Sequence, residues 1–332
     1  MARFLGMKRI LGLKVIFILS LLTWSSAAFC QDDQGIHLAD PTIFYHDGTY
    51  YLYGTVEGNS GEGFLVYSSS DLREWAGPVG ARDGLALKKE DVFGDKGFWA
   101  PQVFYRNQEF YMAYTANENI AIAKSDSPLG PFTQDVKKSL DAPVKQIDPF
   151  IYQAEDGKIY LYHVRLREGN RIYVAEMTED LSAIKEETLI ECIDARDGWE
   201  NTAQAPWPVA EGPTVIKEDG MYYLVYSAND FRNPDYAVGY AVSDHPLGPW
   251  KRHVGNPILH QKDLNHPGTG HGDLFSDKTG GLWYVFHTHF SSDAVAPRRT
   301  ALVKAAFSHD EGNPALLKVD RETFIFLNHA KN

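Results

Sequence analysis

The sequence repeats itself five times, and that periodicity constrains the fold more than any other feature. The units open at Asp40 (DPTIF), Ala100 (APQVF), Asp148 (DPFIY), Glu211 (EGPTV) and His271 (HGDLF), spaced by 60, 48, 63 and 60 residues. Each opening runs through a turn built on Gly or Asn/Asp into an aromatic, β-branched run: HDGTYYLYGT, RNQEFYMAYTA, AEDGKIYLYHV, KEDGMYYLVYSA and DKTGGLWYVFHT. Such a pair reads as a β-hairpin. Downstream, SSSDLREW, SDSPLGPF, TEDL and SDHPLGPW mark a polar turn between a third and a fourth strand. Five units of ~40 to 50 residues plus insertions, each of four strands, predict an all-β, five-bladed β-propeller. No sustained helical periodicity and no low-complexity linker interrupt the repeats, so residues 31–332 are expected to form one domain.

Residues 1–30 read differently. Arg3, Lys8, Arg9 and Lys14 stand without an acid, the apolar run Val15 to Leu22 follows, and the small residues Ser25, Ser26, Ala27 and Ala28 come next. That order is a secretory signal peptide, and its apolar part is shorter than the ~20 residues a membrane span needs. The mature protein is therefore expected to be secreted or periplasmic, with no integral membrane segment. Lipid anchoring at Cys30 is disfavoured, because Phe29 is a poor fit to the small residue such processing takes. Without the leader's four cations the net charge of −12 becomes −16, which leaves nucleic acid no electrostatic reason to bind. Cys30 and Cys192 are the only cysteines, so no internal disulfide framework is available.

In a propeller the first strand of each blade is innermost, and its end opens on the central channel. Aligned on the hydrophobic residue four positions on, Asp40, Ala100, Asp148, Glu211 and His271 share one place at the rim. Asp-Pro can start a strand for local reasons, Asp taking backbone donors and Pro fixing φ. Three carboxyls around one narrow channel, however, repel one another and point to a task. Two separated carboxyls, one ionised and one protonated, are what glycosidic hydrolysis uses, and a third can raise the proton affinity of the acid. The runs LADPTIFYHDGTYYLYGT, FWAPQVFY, QIDPFIY, AEGPTVIKEDGMYYLVYS and GTGHGDLF, in that order over essentially the whole chain after the leader, resemble the signature blocks of glycoside hydrolase family 43. The resemblance implies a five-bladed propeller acting with inversion, with Asp40 as general base, Asp148 as pKa modulator and orienter, and Glu211 as general acid.

The resemblance also implies that His271 faces the channel, where many members hold a calcium ion largely through water. The alternative is a metal-free histidine bonded to Asp40 or backbone, and the reaction itself requires no cofactor. His287 and His289 share a face of one strand and are expected to be packing or rim residues rather than a zinc pair. Sugar rings pack their C–H faces on aromatic surfaces. Trp99, just before the small Ala100, is expected in the pocket, while Trp75, Trp250 and Trp283 sit at repeated structural places. Phe231, Arg232, Arg298 and Arg299 are candidate sugar contacts. The resemblance, through the activities common in that family, implies an exo-acting α-L-arabinofuranosidase on plant cell-wall arabinan, arabinoxylan or derived oligosaccharides, expected to work as a monomer. β-Xylosidase, endo-arabinanase and a non-catalytic carbohydrate-binding propeller are the alternatives.

Overall fold

The computed structural model describes residues 34–196, 198–309 and 314–330, and the leader read from residues 1–30 lies outside them. Each repeat opening pairs antiparallel with the aromatic run that follows it. The five inner strands are Leu38–His46, Trp99–Arg106, Gln146–Gln153, Ala210–Glu218 and Gly270–Ser276. Each lies beside the inner strand of the next blade, and that of blade five lies beside that of blade one, which closes a ring. The chain is a five-bladed β-propeller. Among the described residues the one α-helix is Gln261–Leu264, and no helix is long and apolar enough to cross a membrane.

Blades three, four and five carry four strands each, as the repeats predict. Blades one and two carry three, and their fourth place is filled only by the bridges Ser68↔Ala76 and Lys124↔Thr133. The polar turns SSSDLREW and SDSPLGPF are thus followed by segments too short and Pro-interrupted to extend a ladder. At the seam the chain returns to blade one, where Asn328–His329 pairs parallel with Glu74–Trp75 and Ile36 donates its N–H to Leu327 O at 2.9 Å.

Because both faces of every blade are covered, the second strands are nearly continuous apolar runs. Their side chains fill five hydrophobic cores, one in each cleft between neighbouring blades. Tyr53 and Met112 share one, Ala113 and Leu161 the next, then Tyr162 and Leu224, Tyr223 and Tyr284, and finally Tyr50 and Val285. Trp75 is fully buried, and Trp250 and Trp283 pack against these cores, as expected.

Below the mouth, the channel is tied across blades by polar side chains. Thr42 and Thr214 donate to the two carboxylate oxygens of Asp273 at 2.7 and 2.6 Å, joining blades one, four and five. The Gln102 amide clasps the backbone of Ile151, joining blades two and three. Replacing Asp273 by Ala strands two buried hydroxyls, at ~1 to 3 kcal/mol each when a partner is lost. The variant is expected to lose about 3 kcal/mol and to melt roughly 6 °C lower by calorimetry. An unchanged melting temperature would show that this tie carries no stability.

Candidate active site

The site is built on one backbone device repeated at the mouth of the channel. Every inner strand is bulged near its start, and the residue at the bulge is left-handed: Asp40 (φ 48°), Ala100 (44°), Asp148 (54°), Gly212 (58°) and His271 (42°). The sequence expectation is corrected here. Glu211 is not the equivalent of Asp40 and Asp148, since Gly212 is, and the buried residues Ile43, Val103, Ile151 and Val215 fall in register three positions later. Glu211 stands one place earlier, in register with Ala39, Trp99, Ile147 and Gly270. The Pro that follows Asp40, Ala100, Asp148 and Gly212 marks this register. Glycine at 212 is required twice over, by its φ and because a Cβ there would lie 2.8 Å from the His271 ring.

The N–H groups of the left-handed residues turn away from the strand ladder and find side chains. Ala100 donates to Thr55 Oγ1 and Asp148 to Thr115 Oγ1, both at 3.0 Å. His271 donates to Ser227 Oγ at 2.7 Å and Asp40 to His287 Nδ1 at 3.1 Å. Gly212 alone donates to a carboxylate, Asp148 Oδ2, at 3.2 Å.

Asp40 is nearly enclosed. Thr55 donates to its Oδ2 at 2.6 Å, and its Oδ1 faces Arg298 Nη1 at 3.2 Å, His271 Nδ1 at 3.4 Å and His287 Nδ1 at 3.5 Å. Burial opposes its ionisation, but His271, Arg298, His287 and the Thr55 hydroxyl outweigh burial and hold the carboxyl well below its usual range. Burial makes both imidazoles harder to protonate, and His287 Nδ1 accepts the Asp40 N–H, so Arg298 supplies the permanent charge beside Asp40. That guanidinium also pairs with Glu57 and lies 4.6 Å over the Phe231 ring.

Glu211 and Asp148 are pushed the other way. Burial raises Glu211, donors from Tyr236 (2.9 Å) and Asn170 (2.9 Å) restrain the rise, the charge of Asp40 adds to it, and the outcome is about 7. Burial, then the neighbouring Glu211 and Asp40, raise Asp148 well above the usual carboxylate range. One mouth therefore holds a carboxyl shifted toward ionisation and two shifted toward the protonated form.

These groups open on a cavity of about 490 Å³, the size of a small-molecule site. Asp40, Asp148, Glu211 and His271 lie on its wall, as do Trp99, Phe231, Arg232 and Arg298. Arg232 is paired with Asp230 at 2.5 Å and stays exposed. Arg298, read from sequence as a sugar contact, is instead the ion-pair partner of Asp40, though it still reaches the cavity. Arg299 does not reach it, because the next residue on a strand points to the opposite side, and its guanidinium covers Phe326 at 3.4 Å. His287 is a site residue rather than mere packing, and it stacks on Tyr236 at 5.7 Å. His289 Nε2 holds the Phe231 carbonyl at 2.7 Å.

Sequence reasoning missed Thr55, Tyr236, Asn170 and Trp207. The half-exposed Trp207 indole donates to Asn170 Oδ1 at 2.9 Å, which turns the Asn170 amide nitrogen toward Glu211. Calcium fits this mouth poorly. A hard cation asks for several free oxygens, whereas Asp40 is taken by Arg298, Thr55 and the imidazoles, and Asp273 by two threonines. The residues present do not form a direct calcium site at His271, and no step below runs through one.

Comparison with known proteins gives one family. Residues 36–312 match the family described as Glycosyl hydrolases family 43. The crystal structure of an endo-1,4-beta-xylanase from Bacteroides thetaiotaomicron is 40% identical with a TM-score of 0.82, covering 90% of this chain and 99% of that one. Beta-D-galactofuranosidase xynD of Aspergillus niger is 25% identical over 295 residues, 82% of this chain and 80% of the relative. A xylosidase/arabinosidase of Bacteroides ovatus is 26% identical over 301 residues, 76% and 86% of the two chains.

Replacing Tyr236 by Phe removes a donor that favours the ionised form of Glu211, so the carboxyl should keep its proton to higher pH. Infrared titration of the Glu211 carboxyl band is expected to move its midpoint from about 7 upward by roughly one pH unit. A midpoint that stays or falls would contradict the role given to this hydrogen bond.

Proposed function

Since the chain belongs to glycosyl hydrolase family 43, we propose that it is an inverting, exo-acting glycosidase releasing terminal α-L-arabinofuranosyl units from arabinan, arabinoxylan or their oligosaccharides. The observation that carries this reading is the unequal setting of two carboxyls on one cavity wall: Asp40 is bonded to Arg298 and Thr55, which favours its ionised form, and Glu211 is buried and bonded to no cation among the described residues, which raises it to about 7. Asp40 takes a proton from water as the water oxygen attacks the anomeric carbon. Glu211 gives its proton to the glycosidic oxygen as the bond from that carbon breaks. One proton is gained and one lost, exchange with solvent restores both groups, and attack opposite the departing oxygen inverts the centre. Asp148, which accepts the Gly212 N–H, stands beside Glu211 as the third carboxyl, and burial with the neighbouring Glu211 and Asp40 raises its own proton affinity. Uncharged, half-open surfaces of Trp99 and Phe231 suit the C–H faces of a sugar.

Exo action is favoured because the wall draws on all five blades, through Asp40, Trp99, Asp148, Glu211 and His271, with Trp207 and Arg232 at the brim. Such a pit admits a chain end, whereas an endo-acting groove needs two open sides. A second reading, β-xylosidase, is favoured by the relative named xylosidase/arabinosidase, since both reactions remove a terminal pentose. The basic and apolar leader supports action outside the cytoplasm, where such polymers are met.

A panel of nitrophenyl glycosides should show hydrolysis of the α-L-arabinofuranoside or the β-xyloside, and proton NMR of the first product should show net inversion. Retention of configuration would remove the assignment of Asp40 as base. Asp40→Asn is expected to lose at least about 10²- to 10⁴-fold on every substrate. Glu211→Gln should lose as much on arabino- or xylo-oligosaccharides but little on nitrophenyl leaving groups. On oligosaccharides the wild-type kcat/KM should fall above about pH 7, where Glu211 gives up its proton.

A further inference from the structure

Asp40 and Asp148 are the same residue in the same place: each follows a bulge, each is left-handed, each precedes Pro, and each opens on the same cavity. Something outside the Asp-Pro motif must make one a base and leave the other protonated. One column of the second strands, the residue paired just ahead of each bulge, differs between the two. Thr55 stands opposite Ala39, Thr115 opposite Trp99, Val164 opposite Ile147, Ser227 opposite Glu211 and His287 opposite Gly270, so the five occupy one register. Four of them accept the N–H of the left-handed residue in the following blade. Val164 alone has no polar atom, and it is fully buried.

We infer that this position adds to the Arg298 ion pair in setting the two Asp-Pro carboxyls apart: Thr55 gives Asp40 a hydroxyl donor, and Val164 denies one to Asp148. Thr55 does two things at once, accepting from Ala100 N–H at 3.0 Å and donating to Asp40 Oδ2 at 2.6 Å, so it binds the carboxylate of its own blade. The methyl groups of Val164 do neither. The Gly212 N–H, left without the acceptor its four counterparts have, turns to Asp148 Oδ2 at the longer distance of 3.2 Å. Asp40 further faces His271, His287 and Arg298, while Asp148 faces Glu211 and, farther off, Asp40 and Arg298. Glu211 in turn faces Tyr236, Asn170, Asp40 and Asp230. Val164 is thus a positioning residue. It touches no reacting atom, and it keeps Asp148 from becoming a second Asp40 while aiming that carboxyl at blade four. The inference deepens the glycosidase reading and rests on it for its catalytic consequence.

Val164→Thr places in blade three the hydroxyl that blade one has. It should accept from Gly212 N–H, donate to Asp148, and favour the ionised carboxylate. Carbon NMR titration of protein carrying 13C-carboxyl aspartate, with Asp148 identified by its loss in Asp148→Asn, reads this without any substrate. Because the new hydroxyl replaces the longer Gly212 N–H bond to Asp148, the Asp148 midpoint is expected to fall by about half a pH unit in Val164→Thr, roughly a threefold loss of proton affinity. Val164→Ser, which brings the same hydroxyl with less bulk, should move it in the same direction, and Val164→Ile should leave it in place. A midpoint unmoved by either hydroxyl, or moved equally by Ile, overturns the inference. Failure of the glycosidase reading would show elsewhere, as no hydrolysis of the glycoside panel by the wild type or as oligosaccharide hydrolysis surviving in Asp40→Asn and Glu211→Gln.

Discussion

The whole site depends on five left-handed residues held at the mouth of a closed ring of strands. A residue with a Cβ in that conformation costs about 1 to 2 kcal/mol, and four of the five carry one. The cost is sustained because each freed N–H is buried against a side chain of the preceding blade or, at Gly212, against Asp148. In return the side chains of Asp40, Asp148 and His271 leave the plane of their strands and converge on one cavity. The bulge lets the preceding residue face the same cavity, so Trp99 and Glu211 join them from blades two and four. A regular strand would send alternate residues to opposite faces and could not do this.

Convergence creates an electrostatic problem that the surroundings resolve unequally. Three buried carboxyls share a mouth in which, among the described residues, Arg298 is the one guanidinium bonded to any of them. That cation, pinned by Glu57 below and by the Phe231 ring above, lies against Asp40. Asp148 and Glu211 are left to burial and to the charge of neighbouring carboxylates, Asp40 among them, which favour the neutral forms. A base and an acid thus arise from groups that in water would titrate almost together.

Much of this was legible in the sequence. The repeated openings gave five blades, and the three acidic openings gave the carboxyls, because strand starts in a ring must meet at its mouth. The reading misplaced Glu211 by one residue, since hydrophobic spacing cannot register a bulge. The Pro of EGP, set one place later than in DP, carries that information. The second-strand endings LYGT, AYTA, LYHV, VYSA and VFHT hold Thr55, Thr115, Val164, Ser227 and His287 in one column, so that layer was readable too. Asn170, Trp207 and Tyr236 had no repeat counterpart to flag them, because each reaches Glu211 from a segment specific to its own blade. The adjacent Arg298 and Arg299 could not be told apart until the strand phase was known, one facing Asp40 and the other Phe326.

The central claim is that one mouth keeps Asp40 bare while Glu211 and Asp148 hold protons. Neutron crystallography of perdeuterated protein grown near pD 6 locates those atoms directly. Deuterium on Glu211 and Asp148 and none on Asp40 is the predicted result, and deuterium on Asp40, or a bare Glu211, would contradict it.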